Sequence, residues 1–133
     1  MGYDRTVRVK GSFEQVQSEV RDALAEQGFG VLTEIDVQAT LKAKVGHDME
    51  PYLIPGACNP PLAHRALEAD RSIGLLLLPC NVVVRADGDQ VVVQAVDPST
   101  MVTLTGLDAM APVAREASLR LDTALTSLEG TGA

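Results

Sequence analysis

Aromatic residues are nearly missing from this 133-residue chain: there is no tryptophan, and phenylalanine and tyrosine number two each. A core must therefore be assembled from Val, Leu, Ile and Ala, and the stacking platforms that hold nucleobases are lacking. Positive charge is scarce too. Eleven Lys and Arg face 18 Asp and Glu, for a net charge of −7, and no basic run occurs. Neutralising phosphates requires Lys and Arg, so no nucleic-acid partner is expected, and an anionic membrane surface is disfavoured for the same reason. The longest uncharged apolar stretch, around "IGLLLLPCNVVV", is too short to span a bilayer and is broken by Pro79. The opening "MGYDRTVRVKGS" has no apolar segment of the secretory kind. These features lead to an expectation of a cytoplasmic protein without membrane partners, whose two cysteines are reduced thiols. No CxxC, HExxH, GxSxG or phosphate-cradling glycine loop is found.

What is present is regular patterning. The length fits one domain over residues 1–133, and a chain of this size buries about two-thirds of its unfolded surface without needing a metal or disulfide. Alternation over Tyr3 to Lys10 predicts a first strand. Ser12 with Gln15 is a capping box opening a helix with an apolar stripe at Phe13, Val16, Val20 and Leu24, and Gly28 supplies the stop. Gly28-Phe29-Gly30 follows that helix, so it is a turn and not a dinucleotide fingerprint. Phe29 to Ile35 predicts the second strand, with Phe29, Val31, Thr33 and Ile35 on one face. Asp36 caps a short helix with a narrow stripe at Val37, Leu41 and Val45, ended by Gly46. Tyr52 to Cys58 predicts the third strand, and Asn59 caps a helix that has Pro60 at its first position.

Farther on, Ile73 to Ala86 predicts a fourth strand, whole or in two pieces divided at Pro79. Asp87-Gly88 marks a hairpin turn into a fifth strand, Val91 to Val96. Asp97-Pro98 starts a short helical segment near Met101. Met110, Val113, Ala117, Leu121, Leu125 and Leu128 mark a long amphipathic helix closed by Gly130. The hairpin makes the sheet mainly antiparallel. The expectation is an α+β fold, a five-stranded sheet packed with helices in β-α-β(4)-α order with helical insertions. A homodimer would cover the second sheet face where the strands are apolar on both sides.

Four segments, "GFGVLTEIDVQATLKAKVG", "GACNPPLAHRAL", "IGLLLLPCNVVV" and "VQAVDPSTM", resemble in one order the bacterial domain of unknown function 302. The similarity runs from about Val9 to Leu128. It implies a TATA-binding-protein-like fold, which matches the order above, and imports neither DNA binding nor any established activity. Pro55 departs from the pattern, standing where an apolar Leu is usual before Gly-Ala-Cys-Asn-Pro.

The candidate chemistry lies in a repeated Cys-Asn pair. Cys58 precedes a helix cap, near the positive end of the helix dipole, where a thiol pKa can fall; the alternative is a small buried residue ending a strand. Cys80 follows Pro79 and is either an inert buried thiol or aimed by a bulge. Asn59 and Asn81 place an amide beside each thiol. His64, about one turn into the helix, could join Cys58 as a ligand or base, although most such histidines are simply solvated. His47, Asp48 and Glu50 read as a solvated loop, and Met101 and Met110 as core filler. Three functions compete. The first is a non-enzymatic domain binding a small ligand or soft metal through Cys58, Asn59, His64, Cys80 and Asn81. The second is a thiol enzyme or redox sensor with Cys58 as nucleophile. The third is a structural dimerisation module. Neither a catalytic residue nor a cofactor can be named from the residues.

Overall fold

The computed structural model describes residues 2–77 and 80–131. Seven-residue strands β1 (Asp4–Lys10), β2 (Gly30–Asp36), β3 (Tyr52–Cys58) and β5 (Gln90–Val96) join β4 (Cys80–Asp87) in one sheet of order β1-β5-β4-β3-β2, antiparallel throughout. Among the described residues six helices accompany it: α1 (Phe13–Glu26), α2 (Val37–Val45), α3 (Pro60–Ala69), α4 (Gly74–Leu77), α5 (Thr100–Thr105) and α6 (Ala111–Thr131). The expected α+β architecture is thus the observed one. Among the described residues no helix is long and apolar enough to cross a membrane.

Local chemistry explains most of the boundaries. Ser12 accepts the Gln15 amide and starts α1. At the far end Gly28, with φ of +84°, lets the Phe29 amide reach back to the Leu24 carbonyl. This is the 6→1 bond of a Schellman stop, and it leaves Phe29 buried ahead of β2 rather than inside it. Asp36 caps α2 through the Ala39 amide, and Gly46 ends it in the left-handed region. The stripe expected on α2 is not buried, however: none of its residues is in the core and Val45 is 72% exposed.

Three further expectations need correction. A register shift between Val31 and Thr33 breaks the alternation of β2, so Val31 packs against the core while Ile35 stays 53% exposed. The hairpin loop is Gly88-Asp89, one residue later than expected, because Asp87 still pairs with Gln90. Gly88 has φ of +63° and Asp89 does not share it, the pattern of a II′ turn. Residues 73–77 are helical, not strand: Asp70 accepts the Ser72 amide and opens a 3₁₀ turn that runs into α4. The expected break at Pro79 lies outside the described residues.

Helices α1 and α6 pack together, and α6 lies against β1. Val16, Val20, Leu24, Leu121 and Leu125 meet Val7, Val9, Val82, Val84, Val91 and Val93 in one cluster. A second cluster joins α3, α5 and the first half of α6 through Leu62, Ala66, Ile73, Met101, Met110 and Val113. The opposite sheet face carries polar chemistry. Gln94 donates to Thr6 and Asp4 at 3.1 and 3.3 Å, and Arg8 pairs with Asp87 at 2.7 Å. Leu121 is fully buried where α6 meets the sheet, while Leu119 is 68% exposed. Leu121→Ala should therefore cost about 2–5 kcal/mol and Leu119→Ala stay within about 0.5 kcal/mol, as read by urea unfolding.

Candidate functional site

The seam between the two core clusters holds a cavity. Phe29 and Ala57 belong to the sheet side, and Leu62, Ala66, Met101 and Val113 to the helical side. The space is about 30 Å³, enough for one or two water-sized occupants. Cys58, Asn59 and Cys80 also border it, so three of the five predicted site residues converge there.

Strand geometry decides how each one faces. Cys80 pairs with Ala57, which is fully buried, and alternates with core residues Val82 and Val84. Its side chain belongs to the helix face. Cys58 follows Ala57 and is in step with Tyr52 and Ile54 on the other face, so it borders the cavity from the rim, at the point where β3 ends. Asn59, one residue on, returns to the inner side and is 7% exposed. Its Oδ1 accepts the Leu62 amide at 3.4 Å and caps α3, while its Nδ2 donates to the Gln27 carbonyl at 3.3 Å. That carbonyl also accepts from Arg120 at 3.2 Å.

The remaining two predicted residues lie elsewhere. His64 is 74% exposed in its side chain and its Nε2 meets Glu68 at 2.8 Å, one helical turn on; it faces solvent rather than the cavity. Asn81 pairs with Gly56 and is exposed. It lines a separate hollow on the opposite sheet face with Tyr52, Val83 and Gln94. The loop acids are solvated as expected: Asp48 is 82% exposed and pairs with Lys42 at 2.7 Å. Among the described residues no three His, Cys, Asp or Glu side chains gather as a metal cluster.

Neither cysteine takes part in a disulfide. Burial raises the Cys58 thiol above its ordinary value, against the lowering expected from the helix dipole. Burial also pushes Cys80 up to about 11, and the nearby Cys58 adds to the rise. Desolvation dominates because the walls are largely hydrocarbon and, among the described residues, no cation lines the cavity with either sulfur. What sequence reading missed is the far wall. Met101, Val113 and Ala117 arrive from α5 and α6, and nothing local marks them as neighbours of the two Cys-Asn segments. The second bond of Asn59, to Gln27, was equally hidden.

Two outcomes follow. Asn59→Ala removes a cap and a buried tether together and should cost about 1–3 kcal/mol in chemical denaturation. In native protein at pH 7 both thiols should alkylate more slowly than free cysteine, with Cys80 the slower and its rate still climbing above pH 9, as followed by mass spectrometry at about one-unit pH steps.

Comparison with known proteins brings the architecture and the motifs together. No curated protein matches this chain. A solved structure, the crystal structure of an uncharacterised conserved DUF302 protein from Bacillus stearothermophilus, is similar with a TM-score of 0.88 and 27% identity, covering 96% of this chain and 99% of that one. The family model of the domain of unknown function DUF302 matches residues 5–128. The chain belongs to the DUF302 family, whose function is unknown.

Proposed function

We propose that residues 1–133 form one non-enzymatic binding domain that holds a small ligand or soft metal ion in the cavity bordered by Cys58, Asn59 and Cys80. The observation that carries this reading is the cavity itself: two thiols and a buried amide border one apolar space that the core leaves unfilled. Size narrows the occupant. About 30 Å³ accepts an ion or a ligand of very few atoms, whereas sites for metabolites are roughly ten times larger. Cys58 as a nucleophile draws no support, since burial moves its thiol away from the thiolate form.

On this reading the domain works in the bacterial cytoplasm, where thiols stay reduced, and acts as a homodimer. Support for pairing comes from the half-buried apolar side chains Ile54 and Val83 on the face that α1 and α6 leave uncovered. Anaerobic titration with Cu(I) and with Zn(II) tests the binding site. The wild type should bind one of these ions, and a Cys58→Ala, Cys80→Ala double variant should bind it at least about tenfold more weakly. Equal affinity in the two proteins would remove the thiols from the site and leave a structural module.

A further inference from the structure

A third sulfur enters the same cavity. Met101, on α5, is 4% exposed and lines the space together with Cys80 and Cys58. Among the described residues the only other polar side chain in the wall is Asn59, and both ends of its amide are engaged, by Leu62 and Gln27. Every remaining lining residue is hydrocarbon. Among the described residues no carboxylate and no imidazole faces inward, so a hard cation such as Mg²⁺ or Ca²⁺ meets no carboxylate ligand of the kind it requires.

We infer that the cavity is selective for a soft monovalent cation of the Cu(I) type, held between the Cys80 thiolate and the Met101 thioether. This rests on the binding reading above and names its occupant. Three observations converge on it. Thiolate and thioether are the ligands that favour Cu(I) over harder ions. Both side chains approach from the helix side of the sheet, whereas Cys58 is in step with the outer face and stands at the rim. Charge is the third. One thiolate and one monovalent ion make a neutral complex, which an apolar wall tolerates, while a divalent ion on the same pair would leave an unpaired buried charge. Zn(II) also demands four ligands in a structural site, and no cluster of three His, Cys, Asp or Glu exists among the described residues. Binding is an exchange without redox change: Cu⁺ displaces the proton of the Cys80 thiol, a Cu–S bond forms, and one proton goes to solvent.

The test is anaerobic Cu(I) competition against a chromophoric Cu(I) chelator, with proton release measured in weak buffer. Wild type should take up one Cu(I) and release one proton. Because each ion bound displaces one thiol proton, affinity should rise about tenfold per unit between about pH 6 and 8. Met101→Leu, a volume-conserving change, should weaken binding at least about tenfold, and Cys80→Ser should abolish it. Circular dichroism checks that each variant is folded. Unchanged binding in Met101→Leu overturns this inference and leaves the binding reading standing if the double cysteine variant is still impaired. Release of two protons, with loss of binding in Cys58→Ser, overturns it in favour of a dithiolate. Tighter binding of Zn(II) than Cu(I) overturns the selectivity. Absence of binding of either ion to wild type overturns both readings.

Discussion

One buried amide ties the start of α3 to the end of α1. The Asn59 side chain accepts from the first turn of α3 and donates to the last carbonyl region of α1 at Gln27, where Arg120 of α6 also bonds. A carboxamide both accepts and donates from one short planar group: an Asp lacks the donor, and a Ser is too short for both. The arrangement then constrains its neighbour. A Cβ at Gly28 would stand 3.1 Å from the Asn59 nitrogen, and the backbone there has φ of +84°, so the turn demands glycine twice over. Because Phe29 follows this turn and Leu62 follows the cap, the same contact sets two walls of the cavity.

Features written in consecutive residues were legible in the sequence. Caps at Ser12, Asp36 and Asn59, and the left-handed stop at Gly46, are contacts within a few residues, and each stands where its pattern predicts. The stripe of α6 is legible because a period near 3.6 sustained from Val113 to Leu128 has no strand equivalent. Residues 73–77 were not, since a short apolar run fits a strand and a buried helical turn equally, and the deciding bond comes from Asp70, upstream of the run. The stripe on α2 failed for another reason: three apolar residues predict burial only if enough lies opposite them, and the contacts of that helix with β3 leave Val37 and Leu41 half-buried and Val45 exposed.

The candidate site shows the same division. That both Cys-Asn segments meet was an expectation, and the β3–β4 register brings them alongside, Ala57 opposite Cys80 and Gly56 opposite Asn81. Their phase could not be read. Identical dipeptides paired in this register fall out of step, so Asn59 and Cys80 face the helices while Cys58 and Asn81 belong to the other side. A shift of one residue in one strand would have brought both cysteines onto the same face. His64 follows similar logic on a helix: being on α3 did not decide its face, and the buried stripe passes through Leu62 and Ala66 instead.

The cavity itself follows from side-chain size. Four of its walls are alanine, at positions 57, 63, 66 and 117, where the Val and Leu used elsewhere in the core would have closed the gap. An unfilled space of about 30 Å³ costs about 0.7 kcal/mol at the rate measured for residual core cavities. That is small beside a typical domain stability of about 5–15 kcal/mol, so the fold tolerates it. The electrostatic consequence is larger than the packing one. Walls too small to fill the space, and too apolar to solvate an anion, hold both thiols in their protonated form. The property that argues against nucleophilic chemistry at Cys58 therefore also sets the terms for any occupant: it must displace a proton from a sulfur that resists losing one, and leave no net charge behind.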